Sequence, residues 1–528
     1  MNEWWRDAVC YQIYPRSYGD SNSDGIGDLR GITAHLSHLA WLGVECIWLS
    51  PTFPSPNLDW GYDVADYYDV HPELGTLNDL DALVAEAHGR DIRVVLDLVP
   101  NHTSAAHPWF EDARSSLTAE HRDWYVWADP KPNGSAPNNW TSSFMGPAWT
   151  FDERTGQYFL HNFLPSQPEL NWWNPDVRAE FDRILRFWFD RGIDGFRIDV
   201  AHMVIKDREL RDNPPATPSD FLLDQFRGQV PLYNSNRPEV HDVYRNWRSI
   251  ADSYEPSRML VGETFVNDLE QLVAYYGKND ELSLAFNIPF LTAPYALNTL
   301  RKMVERTEEL LPADCCPVWT GSNHDMSRFP TRWAAGDPAR ARCALVMLLT
   351  LRGTVFFYYG DELAMPDTDV PLDRLVDPVS IEYQPVLNRD AARTPMPWNG
   401  ADGAGFTEPG VEPWLPFGNV SACNVADQRD DPNSPLHLTR GLVALRRELS
   451  DLREGAYATY TAVGEVWAWT RGDGVLIAIN GSDTEATIAD VRGAIRICTN
   501  RARDNEPVAG ELRLAPNEAA VVELELDH

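Results

Sequence analysis

Short apolar runs recur along the chain at 8–14, 44–49, 93–99, 195–200, 259–263, 282–288, 317–319 and 354–359. Each is too short for a helix and too uniformly apolar for a strand with one wet face. Such runs read as strands buried on both sides. Between them lie amphipathic stretches with helical period, for example 32–42, 77–88, 176–190 and 339–351. Alternation of buried strand and helix implies a parallel sheet. Eight repeats of it imply closure into a (β/α)8 TIM barrel.

Two stretches depart from the alternation. The first, 103–174, follows the third strand and is rich in Trp, Pro, Asn and Gly. A structureless loop of that length is disfavoured, so it reads as an inserted subdomain at the end of the barrel where active sites lie. The second, 364–435, follows the eighth strand. After a helical segment at 436–449 the pattern changes to short strands at 457–462, 466–470, 474–480, 485–489, 494–498, 511–514 and 519–526, with Gly, Asp and Asn turns. That predicts a C-terminal all-β sandwich domain. The expected division is a barrel over 1–102 and 175–450, an inserted subdomain B over 103–174, and a β domain over 451–528.

Composition narrows the partners. The chain has 528 residues and a net charge of −34, which argues against nucleic acid, anionic membranes and acidic substrates. No apolar stretch reaches the ~20 residues of a membrane helix. The N-terminus lacks a basic segment followed by an apolar one, so no signal peptide is expected. Seven cysteines without metal-like spacing fit reduced thiols in a cytoplasm. The oligomeric state is not readable.

Candidate chemistry sits where the strands end. Asp97-Leu98-Val99-Pro100-Asn101-His102, Gly195-Phe196-Arg197-Ile198-Asp199, Gly262-Glu263-Thr264 and Asn323-His324-Asp325 each place polar residues after a β run. Taken singly, such acids cap strands or pair with arginine. A barrel gathers strand ends at one mouth, and three carboxyl groups there suit acid/base and nucleophilic work on a neutral substrate. Arg197 lies two residues before Asp199, so both side chains leave one face of the strand. A separate motif, Asp20-Ser21-Asn22-Ser23-Asp24-Gly25-Ile26-Gly27-Asp28, alternates oxygen ligands in the manner of a hard-cation loop. It lacks the glutamate at the twelfth position of an EF-hand, and a metal-free turn of Asx residues is the other reading.

These segments resemble glycoside hydrolase family 13, the α-amylase family, on its α-glucosidase and oligo-1,6-glucosidase side. Gln167-Pro168-Glu169-Leu170-Asn171-Trp172, Gly61-Tyr62-Asp63-Val64-Ala65-Asp66-Tyr67 and Arg393-Thr394-Pro395-Met396-Pro397-Trp398 extend the likeness, with Pro397 a departure from the glutamine of the usual form. The resemblance implies that Asp199 is the nucleophile of a retaining glycosidase, Glu263 the acid/base and Asp325 the third acid, which holds sugar hydroxyls. It implies that His102 and His324 hydrogen-bond the sugar. Asp63 and Arg393 would close a glucose pocket, Tyr62 would stack on the ring, and Phe144 and Phe163 would wall the pocket. It points to a structural Ca²⁺ or Mg²⁺ on Asp20, Asn22, Asp24, the Ile26 carbonyl and Asp28, and to no organic cofactor.

The activity so implied is exo-acting, retaining hydrolysis of short α-glucosides. An oligo-1,6-glucosidase and an α-glucosyltransferase are the alternatives. On linkage the residues divide: Val200 points to α-1,6, whereas Ala201-His202 and 203–215 look like a branch acting on α-1,4 bonds, the reading adopted. A catalytically inactive interaction protein is the remote alternative, disfavoured by the presence of all three acids.

Overall fold

A computed structural model describes residues 3–266, 268–383 and 388–525. The backbone divides into two compact units. Ser50–Asp81 and Val95–Ala285 form one; Glu3–Leu49, Ala82–Val94 and the chain from Phe286 onward form the other.

The first unit holds four parallel strands in the order β3 (Arg93–Leu98, counted here from Val95), β4 (Gly195–Ile198), β5 (Met259–Gly262) and β6 (Leu284–Ala285). Register decides what their ends can do. Asp97 pairs with Arg197, and Arg197 with Val261. With side chains alternating along each strand, Asp97, Arg197, Asp199 and Glu263 fall on one face. Helix Pro175–Asp190 precedes β4. Asn174 caps it by accepting the Asp176 N–H, proline fills its first turn, and Val177, Phe181, Ile184, Leu185 and Trp188 bury one stripe. The inserted stretch carries three short antiparallel strands, Trp127–Ala128, Gln157–Leu160 and Trp149–Asp152, with the second in the middle. Trp140, Ala148, Trp149 and Leu160 form its small core.

The second unit holds the other four parallel strands in the order β7 (Val318–Thr320), β8 (Thr354–Tyr358), β1 (Val9–Ile13) and β2 (Cys46–Leu49). The eight parallel strands are those expected, and the fold is of the (β/α)8 class. The all-β domain is also present. Its strands are β9 (Tyr457–Tyr460), β10 (Val466–Arg471), β11 (Val475–Asn480), β12 (Ala486–Cys498), β13 (Pro507–Leu514) and β14 (Glu518–Leu524), joined in one antiparallel sheet in the order β9-β10-β11-β14-β12-β13. The runs at 485–489 and 494–498 fuse into β12. Its register shifts after Ala489, where Asp490 has φ 61°, and it pairs with both β13 and β14. That irregularity bends the strand, and the domain's core is formed by residues that include Leu476, Ile488, Ile495, Leu512 and Val522.

Among the described residues no helix is long and apolar enough to cross a membrane. All seven cysteines are free thiols, six of them buried.

Candidate functional site

In the first unit one guanidinium organises three acids. Arg197 is 1% exposed. Its Nη1 lies 2.9 Å from Asp97 Oδ1 and 2.7 Å from Asp199 Oδ1, and its Nη2 lies 2.8 Å from Glu263 Oε2. Tyr62 donates its hydroxyl to Asp97 Oδ2 at 3.1 Å, and its ring lies under the Arg197 guanidinium at 5.6 Å. Backbone bonds lock the strand ends: Asp199 N–H to Leu98 O at 2.8 Å, and Glu263 N–H to Ile198 O at 2.9 Å. Burial pushes the Asp199 carboxyl well above its ordinary value; Glu263 and Asp97 add to this, and Arg197 opposes it. With one cation shared among these carboxyls, the protonated form of Asp199 is favoured.

The residue after Asp199 is strained. Val200 has φ 35° and ψ 49°, the left-handed region, which a β-branched side chain rarely enters. That turn aims the Val200 N–H at Glu263 Oε2, 3.1 Å away. Glu263 Oε2 therefore receives two donors. The other oxygens, Asp199 Oδ2 and Glu263 Oε1, accept no hydrogen bond from the described residues.

His102 joins this wall through neutral contacts. Its Nε2 lies 3.0 Å from Tyr62 O and 3.2 Å from Gln167 Nε2, and its Nδ1 lies 3.1 Å from Asn101 Nδ2. Burial pulls the His102 pKa down to about 4, so it works as a neutral imidazole. Phe163 packs on His102 at 5.2 Å and Phe144 on Phe163 at 5.4 Å. Behind them, buried Glu169 pairs with Lys206 and accepts from Asn101 at 2.8 Å, and Lys206 reaches Asn101 Oδ1 at 2.5 Å.

Asp63 requires a correction. It is 0% exposed, and its oxygens accept from Ser55 Oγ at 2.7 Å, Leu58 N–H at 3.0 Å and Asp59 N–H at 3.0 Å. It braces the 55–59 loop and has no face left for a sugar. The acid that meets the histidine layer is Asp59, whose Oδ2 accepts from Gln167 Nε2 at 2.9 Å.

In the second unit Asp325 has the opposite surroundings. Its Oδ1 lies 2.9 Å from Arg393 Nη2 and 3.3 Å from Arg389 Nη1, and its Oδ2 lies 3.1 Å from His324 Nε2. Both arginines also bond Asp377: Arg389 through Nε at 3.0 Å, and Arg393 at 3.7 Å. Arg393 donates further to His324 O at 2.8 Å and lies over the Tyr14 ring at 5.3 Å. Gln12 Nε2 holds His324 Nδ1 at 2.8 Å. Burial would raise the Asp325 pKa, but His324, Arg389 and Arg393 outweigh it and hold the carboxyl well below the usual range. Asp325 N–H bonds Asn323 Oδ1 at 3.0 Å, so the first residue of the motif builds the turn that presents the third.

The candidate cation loop is also in the second unit. Asp20 Oδ1 accepts the N–H of Asn22 at 3.0 Å and of Ser23 at 2.7 Å, and Asn22 Oδ1 and Asp24 Oδ1 accept from Asp24 and Ile26 at 3.0 and 2.8 Å. Asn22 Nδ2 touches Asp24 Oδ2 at 3.0 Å. Asp28 caps helix Leu29–Leu42 through Gly31 N–H at 2.7 Å and holds Ser21 with its second oxygen. Among the described residues, no three His, Cys, Asp or Glu side chains converge as a metal site.

Sequence reading quoted Asp97 and Gln167 within its motifs but gave them no role, and missed Asp59, Lys206, Asp377 and Arg389. Asp97 carried a signal, a lone charge inside an apolar strand. Arg389 carried a weaker one, standing four residues before Arg393.

A (β/α)8 fold with strand-end carboxyls sharing a buried guanidinium, beside neutral histidine and aromatic walls, defines a glycosidase. The alpha amylase catalytic domain model matches residues 12–455, and the chain belongs to that family. It is 42% identical over 502 residues to a "Probable alpha-glucosidase" of Rhizobium meliloti (strain 1021), covering 92% of this chain and 90% of that protein. It is 38% identical over 496 residues to an oligo-1,6-glucosidase of Heyndrickxia coagulans, covering 87% of each. The crystal structure of the alpha-glucosyl transfer enzyme XgtA superposes with a TM-score of 0.91 at 40% identity, over 98% of this chain and 99% of that one. The protein is thus a glycoside hydrolase of the α-glucosidase side of its family.

Proposed function

We propose that the protein releases α-glucose from the non-reducing end of short α-glucosides, with net retention at the anomeric carbon. The observation that carries this reading is Arg197, which bonds Asp199 and Glu263 through different nitrogens of one guanidinium. In the first step Asp199 Oδ2 attacks the anomeric carbon while the glycosidic oxygen leaves with a proton from Glu263. Because Oε2 of Glu263 already receives two N–H donors, the proton belongs on Oε1. Arg197 stabilises the Asp199 carboxylate until the bond forms. In the second step Glu263 takes a proton from water, whose oxygen displaces Asp199. Asp325, by the family resemblance, holds hydroxyls of the sugar being cut. Exo action is supported by the α-glucosidase relatives and no longer by Asp63. Proton NMR of the first-formed glucose tests the stereochemistry: α-glucose is expected, and β-glucose first would sink the retaining assignment.

For linkage we adopt α-1,4, with α-1,6 the competitor that Val200 and the oligo-1,6-glucosidase relatives favour. Glucose release from maltose, isomaltose, sucrose, trehalose and kojibiose, measured side by side, decides between them. Transfer to sugar hydroxyls is expected at high substrate, since any hydroxyl can replace water in the second step; glucose as the sole product would argue against it. A Ca²⁺ or Mg²⁺ is proposed on Asp20, Asn22, Asp24, the Ile26 carbonyl and Asp28. The donor set suits a hard cation, being all oxygen, although Asp20, Asn22 and Asp24 here accept backbone N–H groups of their own loop. It would brace the first βα loop. Chelation should lower the melting temperature and added Ca²⁺ restore it; an unmoved melt would remove the cation. Free thiols support a reducing, cytoplasmic setting, which cell fractionation would test.

A further inference from the structure

Behind the acids of the first unit a buried amide decides which nitrogen of His102 carries its proton. His102 pairs with Glu169 as a short antiparallel bridge, and Leu170 N–H donates to Asn101 O at 3.0 Å. Lys206 reaches the same place from the excursion that follows β4. Asn101, His102, Gln167, Glu169 and Lys206 are all buried. Buried polar groups spend their hydrogens on acceptors, so each can be followed to its partner. The Asn101 amide is held by two charges. Its Oδ1 accepts from the Lys206 ammonium at 2.5 Å, and its Nδ2 donates to Glu169 Oε1 at 2.8 Å. Turned over, the amide would set its NH2 against the ammonium and its oxygen against the carboxylate. Lys206 and Glu169 also pair with each other, which keeps both charges in place. The second hydrogen of Asn101 Nδ2 is left for His102 Nδ1, 3.1 Å away. That nitrogen therefore accepts.

The other side of the ring agrees. His102 Nε2 lies 3.0 Å from Tyr62 O, a carbonyl with no hydrogen to give, so Nε2 donates. Gln167 Nε2 lies 3.2 Å from the same nitrogen, but its two hydrogens have acceptors of their own, Asp59 Oδ2 at 2.9 Å and Tyr62 O at 3.4 Å. Gln167 Oε1 accepts Leu164 N–H at 3.0 Å, which fixes that amide too. A proton on Nδ1 would set N–H against the Asn101 NH2 and a lone pair against Tyr62 O. In a neutral imidazole the bond made by one nitrogen settles the state of the other. Burial pulls the His102 pKa down to about 4, so at neutral pH the ring holds a single proton.

We propose that Lys206 and Glu169 are positioning residues: together they fix the Asn101 amide, and through it they hold the proton of His102 on Nε2. The proposal deepens the α-glucosidase reading and rests on it for its consequence. With Nδ1 spent on Asn101, Nε2–H is the group the ring can offer to a sugar hydroxyl, shared with Tyr62 O. Nitrogen-15 NMR of the full chain with labelled histidine, assigned by His102→Gln, reads the tautomer without reference to activity. The parent should carry the proton on Nε2; a proton on Nδ1 would overturn the proposal. The double variant Lys206→Met with Glu169→Gln removes both charges, frees the amide to turn and should bring up the Nδ1–H form. A folded double variant with the parent tautomer would overturn the role of the pair. Asn101→Asp is a milder second test, because it offers His102 Nδ1 an oxygen beside Lys206. It should move the proton to Nδ1 and lower kcat/KM for maltose about ten-fold, the scale of one hydrogen bond. A proton that stays on Nε2 there would overturn the proposal, and a moved proton with kcat/KM unchanged would remove its consequence for the sugar. A parent that releases no glucose would sink the α-glucosidase reading instead, while the spectrum still decides the tautomer.

Discussion

The two acid clusters differ in how many cations serve them. Around Asp199, Arg197 alone is shared by Asp97, Asp199 and Glu263. Around Asp325, Arg389 and Arg393 share Asp325 and Asp377, and His324 adds a third nitrogen. Burial acts in the same direction on both, yet it wins at Asp199, whose pKa rises, and loses at Asp325, whose pKa falls. Asp377, served by the same two arginines, is also lowered. Cations per acid, rather than burial, sort these carboxyls. The first cluster favours a protonated carboxyl at Asp199; the second keeps Asp325 and Asp377 charged.

The most severe way to break this contrast is to remove the guanidinium. Arg197→Met leaves buried Asp97 and Asp199, and half-buried Glu263, without the cation they share, a lesion of about 3–5 kcal/mol in urea denaturation, with glucose release falling at least ~10³-fold. Arg393→Met leaves Arg389 on both Asp325 and Asp377 and should cost about 1–3 kcal/mol. Equal losses in the two variants would mean that cation sharing does not distinguish the clusters.

Milder substitutions test the proton itself. Glu263→Gln cannot donate a proton and should lower kcat on maltose about 10²–10⁴-fold. In kcat/KM, which reports the first step alone, glucosides whose leaving group needs no proton should be spared, and equal loss there on maltose and 2,4-dinitrophenyl α-glucoside would remove Glu263 as the acid. Stability against pH then separates the clusters by sign. Asp325, lowered by folding, contributes stability that is present above the ordinary Asp pKa of about 4 and is lost as pH falls through its folded value. Asp199, raised by folding, contributes stability that is present below about 4 and is lost as pH rises through its folded value. Thermal melts should therefore show Asp325→Asn less stable than the parent at neutral pH and Asp199→Asn more stable. Both differences should shrink in acid. Shifts of one sign in both variants would contradict the opposed pKa directions.

Much of this was legible in the chain because it follows from periodicity. Apolar runs gave all eight parallel strands, and the strand-end motifs gave Arg197, Asp199, Glu263, His324 and Asp325, because a side chain two places along a strand keeps its face. Loops offer no such rule. Asp59 and Asp63 lie four residues apart in one irregular turn, and only the donors at Ser55, Leu58 and Asp59 decide that Asp63 is consumed. Arg389 meets Asp377 twelve residues away in sequence, a pairing with no period to announce it. The Glu169–Lys206 pair joins the insert to the excursion after β4 and needed the tertiary fold to appear.

The smallest effect probes the backbone beside each acid. Asp325 is presented by a relaxed Asx turn from Asn323, whereas Asp199 is followed by Val200 at φ 35°. A strained residue of this kind stores about 1–3 kcal/mol. Val200→Gly releases that strain but gives up a buried side chain worth about 1.5 kcal/mol and adds unfolded-state entropy of about 0.4–1 kcal/mol. The terms nearly cancel, so its unfolding free energy should stay within about 1 kcal/mol of the parent. Val261→Gly removes the same side chain from β5 with no strain to release, and should cost about 1–3 kcal/mol more. Catalysis should separate the two again. The strain holds the Val200 N–H against Glu263 Oε2, so a glycine there loosens the acid and lowers kcat several-fold while the melt barely moves. If Val200→Gly is as unstable as Val261→Gly, no strain is stored beside Asp199, and the clusters differ in charge alone.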